Sequence, residues 1–458
     1  MRHRLTVLKA VSIVICTLLP LSAQFTGSTP TGEATATPLS LSLDDAIARG
    51  MKTNLGLLTR DNSSTSARVD KMRLLTALLP TVTGTAQMTE QQVDLATFGF
   101  TGIKSFPIPA VIGPFHYQEA QASTNFSVYD GRAWKAWKSG NESLRAAQLS
   151  ARDARDLVVQ AVASAYLEII SSTARVDSTR AQVETAQALY ERARDQHRAG
   201  TSPAIDELRA QVELKTQQQQ LLALQNVVAK DKLALARAIG LPSGQEFEIA
   251  DKAPYKPLEG MTPADALQRA YAARADYQSA QAQVRAAELA RQSANNEWLP
   301  RVSLNANYGD AGPTFANSHG IFAVTGAVSM DIFDGGKRKA DVLSADTAIK
   351  QRREELANLQ GQIDQEVRDA LLDLKSAADQ VAVAQDNIGL ADETLTQARD
   401  RFAAGVTDNI EVVQAQDSVA SAQQNLISAV YAHNLAKVAL ARAMGSTEAN
   451  LKTFMGGK

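Results

Sequence analysis

Two periodicities divide this chain. Apolar residues recur every seven positions at Val162, Ile169, Val176, Val183 and Tyr190, and again at Val367, Leu374, Val381, Ile388 and Leu395. The intervening seam positions are small or polar: Ala165, Ser172, Thr179, Ala186 and Ala193. Strict seven-residue spacing with small partners predicts long helices in tight coiled-coil packing. Residues 131–198 contain no proline, so a helix of roughly 100 Å is expected there. Chain reversals are expected near 199–203, Ala199-Gly200-Thr201-Ser202-Pro203, and near 404–408, Ala404-Gly405-Val406-Thr407, with glycine supplying a left-handed residue past a helix end.

The second periodicity is two. Residues 81–88 place Val82, Gly84, Ala86 and Met88 opposite Thr81, Thr83, Thr85 and Gln87, and residues 122–128 alternate Ala122, Thr124, Phe126 and Val128 with Ser123, Asn125 and Ser127. Residues 301–308 and 322–333 repeat the pattern with Val302, Leu304, Ala306 and Tyr308, then Phe322, Val324, Gly326, Val328, Met330 and Ile332. One apolar and one small polar face fits a barrel strand between lipid and water, and equally a half-buried strand in a soluble sheet. Four strands cannot close a barrel, and open edges are not tolerated in lipid, so a membrane reading requires several chains to share one barrel.

The pattern occurs twice. Asp45-Ala46-Ile47-Ala48-Arg49 matches Asp265-Ala266-Leu267-Gln268-Arg269, and Leu79-Pro80 matches Leu299-Pro300, at an offset of 220. Leu235-Ala236-Arg237-Ala238-Ile239-Gly240 matches Leu440-Ala441-Arg442-Ala443-Met444-Gly445 at 205. The chain is therefore a tandem repeat, 41–240 and 261–445, joined by a linker 241–260 and followed by a tail 446–458. Each copy is expected to open with one helix of roughly 35 residues that stops at its Leu-Pro pair. The first copy carries 15 extra residues, assigned to an irregular loop 89–121 rich in Phe and Pro.

Composition narrows the class. Arg2, Arg4 and Lys9 precede an apolar run ending at Leu21-Ser22-Ala23, a signal peptide (1–23) cut near Ala23. The only cysteine, Cys16, lies within it behind Ile15, so disulfides, thiol chemistry and a lipoprotein anchor are not expected. Residues 24–40, rich in Thr, Pro, Gly and Ser, are read as a disordered lead-in. Losing the signal removes three basic groups and no acidic one, so the formal charge moves from −2 to −5 and nucleic acid is not an expected partner. His116, His197, His319 and His433 are scattered, and neither a catalytic constellation, a metal site nor a cofactor motif is found.

In their order, these features resemble the TolC-type outer-membrane efflux protein family over essentially the whole mature chain. The resemblance rests on the repeat, Leu43-Asp44-Asp45-Ala46-Ile47 and Thr262-Pro263-Ala264-Asp265-Ala266-Leu267, the Leu-Pro pairs, the Asp-Gly after each second strand, and the two tips. It implies a mostly α chain with a membrane β-barrel: a long antiparallel α-helical coiled-coil barrel plus four strands per chain, twelve in a homotrimer. It further implies a passive exit duct in the outer membrane with its helical part in the periplasm, serving a tripartite efflux pump or a type I secretion system. The implied partners are outer-membrane lipid, a periplasmic adaptor (membrane fusion protein), and an inner-membrane pump or ABC exporter that supplies the energy. The chain is not expected to be an enzyme. A soluble periplasmic coiled-coil scaffold is the alternative.

By position, the resemblance assigns the periplasmic entrance to Phe402, Asp206 and Glu411, and adaptor docking to Ala199, Gly200, Thr201, Ala404, Gly405 and Val406. Some relatives have tyrosine and arginine where this chain has Phe402 and Thr407, so their entrance locks do not carry over. Asp206 and Glu411 fit a carboxylate ring in a trimer or two acids satisfying local helix dipoles, and both readings stand. Trp134, Trp137, Trp298, Tyr129 and Phe333 flank the strand ends as a membrane-interface belt would. The basic set Arg132, Lys135, Lys138, Lys337, Arg338 and Lys339 is read chiefly as a solvated face, with lipid phosphates as the other possibility.

Overall fold

The computed structural model describes residues 27–99, 109–252, 255–258, 260–404, 406–407 and 409–455. The predicted signal peptide, the tip residue Gly405 and part of the first-copy loop lie outside them. The order of elements is β1 (Leu39–Leu41), α1 (Leu43–Thr53), α2 (Leu55–Thr76), β2 (Thr81–Asp94), β3 (Val111–Tyr129), α3 (Gly131–Arg198), α4 (Ala204–Ala238) and β4 (Phe247–Ile249). There follow α5 (Pro263–Ala273), α6 (Ala275–Asn295), β5 (Arg301–Gly312), β6 (His319–Ser329), α7 (Lys337–Ala403), α8 (Asn409–Ala443) and α9 (Thr447–Met455). After β1, the six-element course α1 to α4 is answered by α5 to α8 with helices of nearly equal length.

The chain divides into two compact units: residues up to 60, 151–274 and 362 onward form the first, and 61–150 with 275–361 the second. In the first unit, Leu41, Ile47, Leu57, Val158, Val162, Tyr166, Ile169, Leu235, Ile239 and Val438 build one core. Along α3 the small seam positions Ser172, Thr179, Ala186 and Ala193 are buried, while Val183 and Tyr190 are only half-buried. Along α7 the buried heptad is Ala370, Ala377, Ala384, Ala391 and Ala398. Short side chains thus share the buried contact line with Val162, Ile169, Val176, Val367 and Val381, and the short ones allow close approach of helix axes.

Two expectations fail in this unit. The opening helix is not continuous: it breaks at Asn54, whose fully buried side chain accepts from the N–H of Leu57 (3.3 Å), and the second copy breaks at Arg274 between α5 and α6. Asn competes for local backbone donors and so favours a fresh helix start. The described part of the lead-in is ordered, since Thr29 donates to Thr53 O (2.9 Å), Leu55 to Gly27 O (3.0 Å) and Thr31 to Gly240 O (3.1 Å), and β1 pairs in parallel with β4 of the supposed linker. The tail is a helix: the Thr447 N–H donates to Asp156 (2.8 Å) and Leu451 is buried.

Gly240 and Gly445 close the two copies in left-handed conformation. A Cβ on Gly240 would lie 2.6 Å from the Thr53 hydroxyl, and one on Gly445 2.8 Å from the Arg274 nitrogen. Each glycine therefore packs on the helix break of its own copy, where no side chain fits.

The second unit holds an antiparallel sheet of order β2-β3-β5-β6. Its register sets Val82, Thr124, Ala306 and Val324 side by side, and likewise Gly84, Ala122, Tyr308 and Phe322. Directly paired residues share a face, so the apolar faces read from the alternation coincide across all four strands. The opposite face carries Thr81, Asn125, Asn305 and Thr325. Much of the anticipated loop is strand: β2 continues to Asp94 and β3 begins at Val111, so 89–94 and 111–117 form a two-stranded ribbon beyond the reach of β5. Backbone pairing holds this ribbon without the alternation that composition reading requires. β5 likewise runs on to Gly312, and β6 starts at His319 and stops at Ser329, short of the predicted 333.

Candidate functional site

The apolar sheet face is uncovered. Val82, Tyr308, Phe322, Val324 and Val328 are 66–77% exposed, and among the described residues no strand pairs with the outer edge of β2 or β6. Each such side chain left in water forgoes about 1.5–3 kcal/mol of burial, and each edge presents unpaired backbone groups. The polar face is tied internally: Gln87 Nε2 donates to Glu119 (2.7 Å) and Asn307 Nδ2 to Gln121 (2.9 Å).

Of the expected interface aromatics, Tyr129, Trp134, Trp298 and Phe333 are exposed. Trp137 is half-buried against Trp134, ring centroids 5.2 Å apart, and Lys71 approaches its ring to 5.8 Å.

Both tips close their long helices with a backbone hydrogen bond, and the left-handed glycine expected at the first is present. Thr201 N donates to Gln196 O and Val406 N to Arg401 O, each 3.0 Å, the six-residue closure of a Schellman motif, and Gly200 takes φ +72°. Ala199, Gly200, Thr201, Ala404 and Val406 are exposed, as are Ile205, Leu208 and Val212 on the first turns of α4.

The tip acids are each engaged within the chain. Asp206 accepts from Ser202 Oγ (2.8 Å) and faces Arg209 at 3.7 Å. Glu411 pairs with Arg401 at 2.9 Å, joining α7 to α8. Phe402 packs on the buried cluster of Ala398, Val412 and Ala415, with the Arg192 guanidinium 5.9 Å from its ring. The Arg401–Glu411 bridge was not anticipated, because nothing in the sequence pairs residues across a reversal. Farther along α8, burial and then the charge of Glu213 raise the Asp417 carboxyl above the usual range.

A buried lysine was also missed. Lys437 is 1% exposed and donates to the carbonyls of Lys256 (2.6 Å) and Phe454 (3.2 Å), clasping the linker and α9 to α8. Burial, then the charge of Lys256, lowers its pKa from 10.5 to about 8. Tyr166 donates to Leu41 O (3.0 Å) and Asp251 (2.9 Å); burial and then Asp251 push its hydroxyl well up.

The sequence profile described as "Outer membrane efflux protein" matches residues 65–241 and 266–446, and the chain belongs to that family of outer-membrane transport proteins. It is similar to the toluene efflux pump outer membrane protein TtgC of Pseudomonas putida, 26% identical over 391 residues, covering 80% of this chain and 75% of TtgC. It is 23% identical over 326 residues to the cation efflux system protein CusC of Escherichia coli, covering 69% of this chain and 70% of CusC. The fold matches the outer membrane channel CmeC of Campylobacter jejuni with a TM-score of 0.74 at 15% identity, covering 94% of this chain and 95% of that one.

Proposed function

We propose that three copies of this chain close a twelve-stranded barrel in the outer membrane and serve as the passive exit duct of a tripartite efflux pump. The observation that carries this reading is the four-stranded sheet with one apolar face in the open and two unpaired edges. Neighbouring chains would supply the missing strand partners and lipid would cover the apolar face. The exposed tips with Ile205, Leu208 and Val212 offer apolar anchors for a periplasmic adaptor, and an inner-membrane pump supplies the energy. Relatives named as pump components support efflux over polypeptide secretion by an ABC exporter.

At the entrance, the proposal departs from a bare carboxylate ring. Asp206 and Glu411 each meet an arginine of their own chain, so the local field is largely compensated. Phe402 and the Arg401–Glu411 bridge would hold the second tip in place.

The test is fractionation of the full chain followed by native mass measurement and planar-bilayer recording. A trimer in the outer-membrane fraction with ion conductance is expected. A monomer extracted without detergent and silent in bilayers would instead establish the soluble scaffold.

A further inference from the structure

Where β6 hands over to α7, Asp334 accepts from the N–H groups of Gly336 and Arg338, both at 3.0 Å. This turn lays the Arg338 side chain over Trp298, with Cζ 3.6 Å from the ring centroid. Arg338 is only 6% exposed. Its Nη2 reaches Asp334 (3.2 Å) and Asp331 O (3.4 Å), yet Nε and Nη1 are buried without an acceptor among the described residues.

Arg338 lines a polar cavity of about 60 Å³, with Arg132, Arg301 and Lys337 opposing Glu297, Asp331 and Asp334 in its walls. The carboxylates are already engaged: Glu297 by Arg132 (3.0 Å) and Lys337 (3.5 Å), and Asp331 by Arg301 (3.6 Å). Lys337 also pairs with Asp341 (3.3 Å), so four cations meet four carboxylates and the unmet groups are the two Arg338 donors. Leaving two donors of a buried guanidinium unmet is costly, and an anion in the cavity relieves that cost. The planar guanidinium fork suits phosphate oxygens in particular. Met330 borders the same cavity, and Ile332 and Phe333 beside it are 84% and 88% exposed. A charged recess edged by uncovered apolar side chains matches a ligand with a phosphate head and an apolar body.

We propose that this recess binds a phosphate group, with the headgroup of a membrane phospholipid as its source. The recess stands on its own geometry, while the lipid source rests on the membrane reading of the sheet.

The test uses the delipidated full chain in detergent, with phosphatidylglycerol in one arm and inorganic phosphate in the other, read by native mass spectrometry and by thermal shift. The variants are Arg338→Gln and, because Arg338 also supports the fold over Trp298, the double change R132Q/K337Q at two half-exposed rim positions. Retention of phosphatidylglycerol that falls at least fivefold in both variants is the expected result. Binding of inorganic phosphate alone, lost in the variants, would support the recess and overturn its lipid source. Equal retention by wild type and R132Q/K337Q, or no binding in either arm, would overturn the recess and leave water as its only occupant.

Discussion

The first unit and the sheet treat the same residue types in opposite ways. Around Tyr166 and Ile169, valine, leucine and isoleucine are enclosed; on β5 and β6, valine, tyrosine and phenylalanine stand in the open. One chain has thus been composed for two solvents. In that core the apolar side chains find one another, whereas on the sheet they wait for a surface that the chain alone does not provide.

The sharpest way to break this comparison is to disturb each side separately. Ile169→Ala should destabilise the first unit by about 4 kcal/mol through cavity formation, seen as a lower melting temperature of the helical circular dichroism signal. Val324→Arg should leave that melting curve in place but cost about 3 kcal/mol of membrane insertion, measured as loss of the protein from the outer-membrane fraction. If Val324→Arg inserted normally, the apolar sheet face would not be meeting lipid.

A subtler contrast comes from Lys437. Its folded pKa of about 8 lies below the ordinary 10.5, so between those values the unfolded chain holds a proton that the folded chain has released. Wild-type stability should therefore rise with pH across that window relative to Lys437→Met, by at most about tenfold in the folding equilibrium per pH unit. Parallel denaturant titrations at several pH values read the difference. The smallest effect is expected at the second tip. Arg401→Gln removes a largely exposed pair worth about 0.5 kcal/mol, so conductance should rise roughly twofold, with no change in melting temperature.

The sequence disclosed most of what repeats locally. Strand alternation and the seven-residue seams are short-range patterns, and the register and helices follow them. Composition misled where pairing rather than side chains made the structure, as in the ribbon 89–94 with 111–117 and the lead-in held by backbone bonds at Thr29 and Thr31. The clasp of Lys437 on Lys256 and the stacking of Arg338 on Trp298 depend on residues brought together from distant positions. No window along the chain contains those partners, so their burial was not legible.

The uncovered edges of β2 and β6 also bear on biogenesis. Helical packing within one subunit is an intramolecular event, but in the proposed trimer completing the sheet would require meeting another chain, so its pace would depend on how many subunits are present. Until that encounter, each subunit displays two sticky rims and an oily surface at once, which makes the interval between export and assembly the period of greatest aggregation hazard in its lifetime.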